Sequence, residues 1–337
     1  MLHELFSLRL LSVLASMLVA LATVTPARAG TFLETASEPV ALRQDVSATI
    51  FFGSGTTDSG NLNLFIPLPS PPYVGGTSSN GPVWAEYFAD SLGTEARPSS
   101  LGGTNYAFGG ARTGVVTFGF IPPLTTQAQS YLADVGGSAD PRALYVIQAG
   151  ANDLSTAVLE PPDVARQIVA DTLAFTENVV SNLQAAGARR FVLLSVPELP
   201  TAPVSPVLPD GTNLAKLMND GFREIAEDLG GGGVRIGVYD LHGLVADVRA
   251  DPAAFGLQVT ECSFMGKSSL DIILSGDTTP EPCEPAVPVE DYMMFDDEHY
   301  TTTMSKIVAD EAVACQRFLR GAGDAPPVSV ERCAEGR

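Results

Sequence analysis

Four short runs of β-branched and aromatic residues, each followed by a breaker or by a stretch with helical spacing, constrain this chain more than any other feature. They are Val46–Phe52, Ala143–Gln148, Arg190–Val196 and Val234–Asp240. Gly53 stops the first, Gly150 closely follows the second and Pro197 ends the third. Runs of this length and composition read as buried strands. Between and after them, apolar residues recur at helical period over 83–92, 163–185, about 214–229 and 304–320. Pro161-Pro162 stands where a helix start tolerates proline. Such alternation predicts an α/β sandwich on a mostly parallel sheet, with its chemistry in the loops after the strands. Residues 66–82, rich in Pro, Gly and Ser, read as a surface loop. Trp84, the one tryptophan, reads as core or pocket wall.

The ends of the chain carry different information. Arg9 precedes an apolar run from Leu10 to Ala22, and Ala27-Arg28-Ala29 offers small residues for cleavage. That pattern predicts a signal peptide over 1–29, a principal domain over 30–320 and a C-terminal tail over 321–337. A secreted or periplasmic protein follows from it. The chain carries 19 Lys+Arg against 39 Asp+Glu, a formal net charge of −20. A surface of that sign repels phosphate backbones and anionic membranes, so nucleic acid is not an expected partner. The four cysteines, Cys262, Cys283, Cys315 and Cys333, lack the close pairs of a zinc site. In an exported chain their even number predicts disulfides, with the local pairs Cys262–Cys283 and Cys315–Cys333 preferred among three connectivities and the second tethering the tail.

Nucleophilic ester hydrolysis needs a hydroxyl, an imidazole to take its proton, a carboxylate to orient the imidazole and donors for the oxyanion. After residue 29 the chain has two histidines, His242 and His299. His299 has Asp296 three residues before it, a spacing that lets one turn hold both side chains together, with Asp297 and Glu298 as further acids. His242, in Asp240-Leu241-His242-Gly243, reads as a cap or a surface residue. Asn152, in Gly150-Ala151-Asn152-Asp153, follows a strand and could donate a side-chain amide to an oxyanion, although a plain turn also accounts for it.

Phe52-Gly53-Ser54-Gly55-Thr56-Thr57-Asp58-Ser59-Gly60-Asn61, the block Gly102–Gly114 with its Gly109-Gly110, Gly150–Asp153 and Tyr292–Thr301 occur in the order of the GDSL/SGNH esterase and lipase family, which the chain resembles from about residue 47 to 312. The stretch from Ala250 to Cys262 is similar to a late loop of its bacterial phospholipase-like members. The resemblance implies a three-layer α/β/α sandwich with a mostly parallel central sheet. It implies Asp296 as orienting acid, His299 as base, and Gly110 and Asn152 as oxyanion donors. It implies a lipid or small acyl ester as substrate, with no metal or organic cofactor.

One departure decides the chemistry. The family's first block reads Phe-Gly-Asp-Ser-Leu-Ser-Asp-Thr-Gly-Asn, so its nucleophilic serine falls on Gly55 and the preceding aspartate on Ser54. Ser54, flanked by Gly53 and Gly55, is the first candidate for a displaced nucleophile, and Thr56 the second. The alternatives are water activated by His299, a catalytically silent ligand-binding protein on the same fold, or a glycan O-acetyl esterase.

Overall fold

The computed structural model describes residues 46–198, 206–262, 264, 267, 269–319 and 333–335. The signal-like segment 1–29 and most of the tail lie outside the described residues, so the expected leader and tether are not addressed by them.

Four parallel strands form the centre: β1 (Thr49–Phe52), β2 (Leu144–Gln148), β3 (Arg190–Leu194) and β4 (Arg235–Tyr239), neighbours in that order. β5 (Val259–Cys262) and β6 (Tyr292–Met294) make a separate parallel pair, and β7 (Cys333–Glu335) closes the main sheet antiparallel to β4. The helices are α1 (Trp84–Ser91), α2 (Leu124–Asp134), α3 (Ala151–Ala157), α4 (Pro162–Ala185), α5 (Leu214–Leu229), α6 (Leu241–Ala250), α7 (Ser269–Ser275) and α8 (Thr302–Leu319).

The strand alternation sorts residues into two cores. Ile50, Phe52, Tyr145, Ile147, Phe191, Leu193, Ile236 and Val238 face one side and pack with residues of α2, α3, α4 and α5. Phe51, Leu144, Val146, Val192, Leu194 and Tyr239 face the other and pack with α1, α6 and α8. A strand buried on both faces has no solvent side, which is why these runs are continuously apolar rather than alternating. The result is an α/β/α three-layer sandwich with a mostly parallel sheet.

The expected pair Cys262–Cys283 is corrected: among the described side chains no disulfide pair is present, and Cys283 carries a thiol, whereas Cys315 is disulfide-bonded. A disulfide tolerates little departure from its required separation and direction, so nearness in sequence was not enough. The side chains of Cys262 and Cys333 lie outside the described ones. Residues 66–82 also differ from a plain surface loop: Tyr73, Thr77, Ser78 and Ser79 are buried there, against the late block of the chain.

Candidate active site

The end of β1 sets the floor of the site. Gly53 exchanges two hydrogen bonds with the Gln127 side-chain amide of α2: its N–H donates to Oε1 and its carbonyl accepts from Nε2, both at 2.9 Å. The buried Asp58 carboxylate accepts backbone N–H groups from Gly60, Asn61, Leu62 and Gly109 at 2.6–2.9 Å. Burial pushes its carboxyl up, against the pull of those four donors. Asn61 Nδ2 donates to the carbonyls of Asn105 and Ala107, and Asn105 Nδ2 to that of Thr57. These bonds weld the glycine block at 109–110 to the first block, although fifty residues of chain separate them.

The late block makes a tight turn. Phe295 N–H donates to the His299 carbonyl at 2.7 Å, closing a loop directly after β6. Inside it the Asp296 carboxylate accepts the N–H groups of Glu298 (2.9 Å) and His299 (2.7 Å). Both its oxygens lie 2.9 Å from His299 Nδ1, and the Tyr73 hydroxyl donates to Oδ2 at 3.0 Å. Burial pushes the Asp296 carboxyl up, but the adjacent imidazole and this set of donors hold it below the usual carboxylate range. Burial pushes the His299 ring down. The Asp296 carboxylate against Nδ1, with Glu298 and Asp297 nearby, overrides that and raises it to about 9. The other two acids are engaged elsewhere: Asp297 accepts the Ser269 N–H (2.6 Å) and Glu298 the Ser269 hydroxyl (2.8 Å), tying the turn to α7. Burial raises Asp297 to about 6.

The far nitrogen of the ring is aimed at the first block. A Cβ placed on Gly55 would stand 2.3 Å from His299 Nε2 and 3.0 Å from Cδ2. The imidazole therefore occupies part of the room that a side chain at position 55 would need. Nε2 makes no hydrogen bond among the described residues. Ser54 faces another way. Its hydroxyl donates to Gln148 Oε1 at 3.3 Å, an oxygen that also receives the Thr57 hydroxyl at 3.0 Å. The chain turns here, with the Thr57 and Asp58 N–H groups both donating to the Ser54 carbonyl at 2.9 Å, and the turn brings position 55, not 54, to the imidazole. No hydrogen bond joins Ser54 to His299.

The glycine block and the start of α3 hold the other residues expected at the site. Gly110 has φ +75°, a left-handed conformation that favours glycine, and no acceptor among the described residues takes its N–H. The buried Gly55 N–H likewise meets no acceptor there. Buried backbone N–H groups are rarely left over, so the open Gly55 N–H beside the imidazole is a chemical feature of the fold. Asn152, in the first turn of α3, spends one amide proton on the Ala111 carbonyl at 2.8 Å and keeps the other. Asp153 anchors the same loop by accepting from Arg112 Nε (3.1 Å), Thr113 N–H (3.0 Å) and the Thr113 hydroxyl (2.8 Å). His242 lies outside this group. Its N–H donates to the Ser195 hydroxyl at the start of α6, where Asp240 is the cap.

A scan against protein-family models matches residues 50–312 to the GDSL-like lipase/acylhydrolase family. The chain belongs to that family. Curated relatives include Lipase 1 of Photorhabdus luminescens, 32% identical over 152 residues, an alignment taking in 45% of this chain and 22% of the relative. Phosphatidylcholine-sterol acyltransferase of Aeromonas hydrophila is 26% identical over 67% of this chain and 68% of its own. An acetylesterase of Hypocrea jecorina is 24% identical over 63% of this chain and 73% of its own. Among solved structures, a catalytic mutant of an acetylxylan esterase from Geobacillus stearothermophilus covers 63% of this chain and 85% of its own, with 13% identity and a TM-score of 0.39.

Three features of this region escaped the sequence. Tyr73 sits in a Pro/Gly/Ser-rich stretch with no periodicity to mark it. The Gly55 N–H leaves no trace in a residue type. Gln148 did leave one: a polar residue ending an otherwise apolar buried strand.

Proposed function

We propose that this family member hydrolyses carboxylic esters with His299 as general base and water as the attacking oxygen. The observation that carries the reading is the aim of His299: Nδ1 is held by Asp296, while Nε2 points without a partner at the glycine where the family has its serine. In this mechanism Nε2 takes a proton from a water, whose oxygen attacks the ester carbonyl carbon. The tetrahedral oxyanion is received by the N–H groups of Gly55 and Gly110 and the second amide proton of Asn152. Collapse expels the alkoxide, which takes the proton back from His299. Asp296 holds the ring and stabilises the imidazolium throughout. No acyl-enzyme is formed, so the covalent step of a serine hydrolase is given up. The named activities of the relatives, a lipase, an acyltransferase and an acetylesterase, support an ester as the bond acted on.

Ser54 as a displaced nucleophile remains the competing route within the same chemistry. It requires the 53–55 turn to rotate until the hydroxyl leaves Gln148 and reaches Nε2. A catalytically silent, ligand-binding role is the second reading, favoured by the missing side chain at position 55. Purified protein assayed with short- and medium-chain aryl esters separates the three. The water route expects turnover that survives in Ser54→Ala and is lost in His299→Ala. Loss in both variants selects Ser54, and no turnover in the parent selects the silent role.

A further inference from the structure

Two segments of this chain carry no charged residue at all: 59–85 and 113–133. The structure brings them together beside Gly110. Leu62, Phe108, Ala111 and Ile121 form a small buried cluster with Ile66 packed on it. Ile121 Cδ1 would lie 3.1 Å from a Cβ on Gly110, so this cluster borders the proposed oxyanion site. Outward from it, large apolar side chains stand in solvent. Phe65 is 61% exposed, with its ring 5.6 Å from that of Phe108, and Phe118 is 69% exposed. Leu64, Val115, Val116 and Phe120 are also exposed. Phe118 takes a positive φ of 50° in the turn between Thr117 and Ile121, and bulky residues rarely accept that conformation. Isolated exposed apolar residues need no explanation; a group of them on two charge-free segments that share one buried cluster beside Gly110 does.

We propose that this lip is a docking surface for the surface of an uncharged or zwitterionic lipid assembly. The proposal deepens the ester-hydrolase reading and rests on it for its purpose, though not for its test. Charge selects the occupant. The net charge of −20 opposes both a second copy of this chain and an anionic bilayer, whereas a face without charge loses nothing on entering a neutral interface. Composition points the same way. The exposed residues are Phe, Leu and Val, without the Trp, Tyr and Arg that dominate the energetics of protein–protein contacts. Arg112, the nearest cation in sequence to the second segment, is paired with Asp153 at 3.1 Å and so is not open to a lipid phosphate.

Binding to vesicles, read without turnover, tests this independently of the catalytic mechanism. The full chain is sedimented with phosphatidylcholine vesicles and, separately, with phosphatidylglycerol vesicles, beside Phe65→Ser/Phe118→Ser and a second variant, Val115→Ser/Val116→Ser. The expected result is binding to phosphatidylcholine that exceeds binding to phosphatidylglycerol at low salt. Each double variant should weaken it on the order of 10-fold, the scale of two partly buried apolar side chains. Equal binding by parent and both variants overturns the proposal, as does failure of the parent to bind phosphatidylcholine. Self-association of the parent that both variants abolish, without vesicle binding, assigns the face to a second copy and overturns it too. Loss of ester turnover with vesicle binding intact would fault the catalytic reading alone.

Discussion

Replacing Gly55 with serine restores the family's side chain at the place where the imidazole now intrudes. The backbone there does not require glycine: Gly55 is absent from the positive-φ glycines, so an L side chain meets no conformational strain. The obstacle is His299. A Cβ at 2.3 Å from Nε2 and 3.0 Å from Cδ2 falls short of ordinary contact, so the ring must retreat by about 1 Å. The ring is the far end of a side chain, but both Asp296 oxygens hold its Nδ1 at 2.9 Å, and Tyr73 braces the carboxylate behind them. Overpacking of this kind costs about 1–3 kcal/mol. Gly55→Ser should therefore lower the melting temperature. Once the ring has moved back, the introduced hydroxyl lies within reach of Nε2 and the full nucleophile–base–acid set exists. Ester turnover should rise by roughly 10²-fold, the lower end of what a positioned acid–base partner contributes. The variant should also become labelled by a fluorophosphonate at position 55. Thermal denaturation, steady-state kinetics with an aryl butyrate and peptide mass mapping read the three effects. A variant that is destabilised yet neither faster nor labelled would refute the reasoning, because it would show that more than one side chain is missing.

Three other outcomes follow from the same geometry. His299 can act as a base only when neutral, and its pKa is raised to about 9, so kcat/KM should climb with pH through the neutral range and level off near 9. Stability should move the opposite way: a folded pKa above the unfolded 6.5 contributes stability that is complete below about 6.5 and is lost as pH rises through 9, which denaturant titrations at pH 6 and pH 10 would resolve. Tyr73→Phe removes the donor to Asp296 Oδ2, so the carboxylate should bind the imidazolium more strongly, moving the midpoint of the pH–rate profile upward while KM stays put; a uniform loss with an unmoved midpoint would make Tyr73 merely structural. Asn152→Ala removes one oxyanion donor and should lower kcat on the order of 10²-fold with little change in KM, and a variant as fast as the parent would remove Asn152 from the site.

The central sheet was legible because its strands are buried on both faces and so read as unbroken apolar runs. The helix at Leu214–Leu229 was legible because its apolar stripe is pronounced. The elements that escaped lack such patterns. Leu124–Asp134 is mostly polar or small residues, and its Gln127 is buried for its hydrogen bonds to Gly53 rather than for hydrophobicity. α6 begins at Leu241, inside a motif whose Asp and His draw attention to its cap and away from the helix behind it. β7 has three residues, too few for any period, and takes its identity from pairing with β4. At the site, the contact of Asp296 with His299 was visible as a spacing of three residues. The direction of Ser54 was not visible in the sequence. Which way a hydroxyl points at the end of a strand depends on the turn after it, and here Gln148, ninety-four residues away, takes it.

The claim on which the rest depends is hydrolysis without a protein nucleophile. Fluorophosphonate labelling of a preparation whose ester turnover is measured before and after exposure tests it most directly. The account predicts turnover that persists through the treatment, no adduct on any residue of the first block, and complete loss in His299→Ala. Inactivation accompanied by an adduct on Ser54 or Thr56 would contradict it, and so would a pure, folded protein that hydrolyses no ester at any pH up to 10.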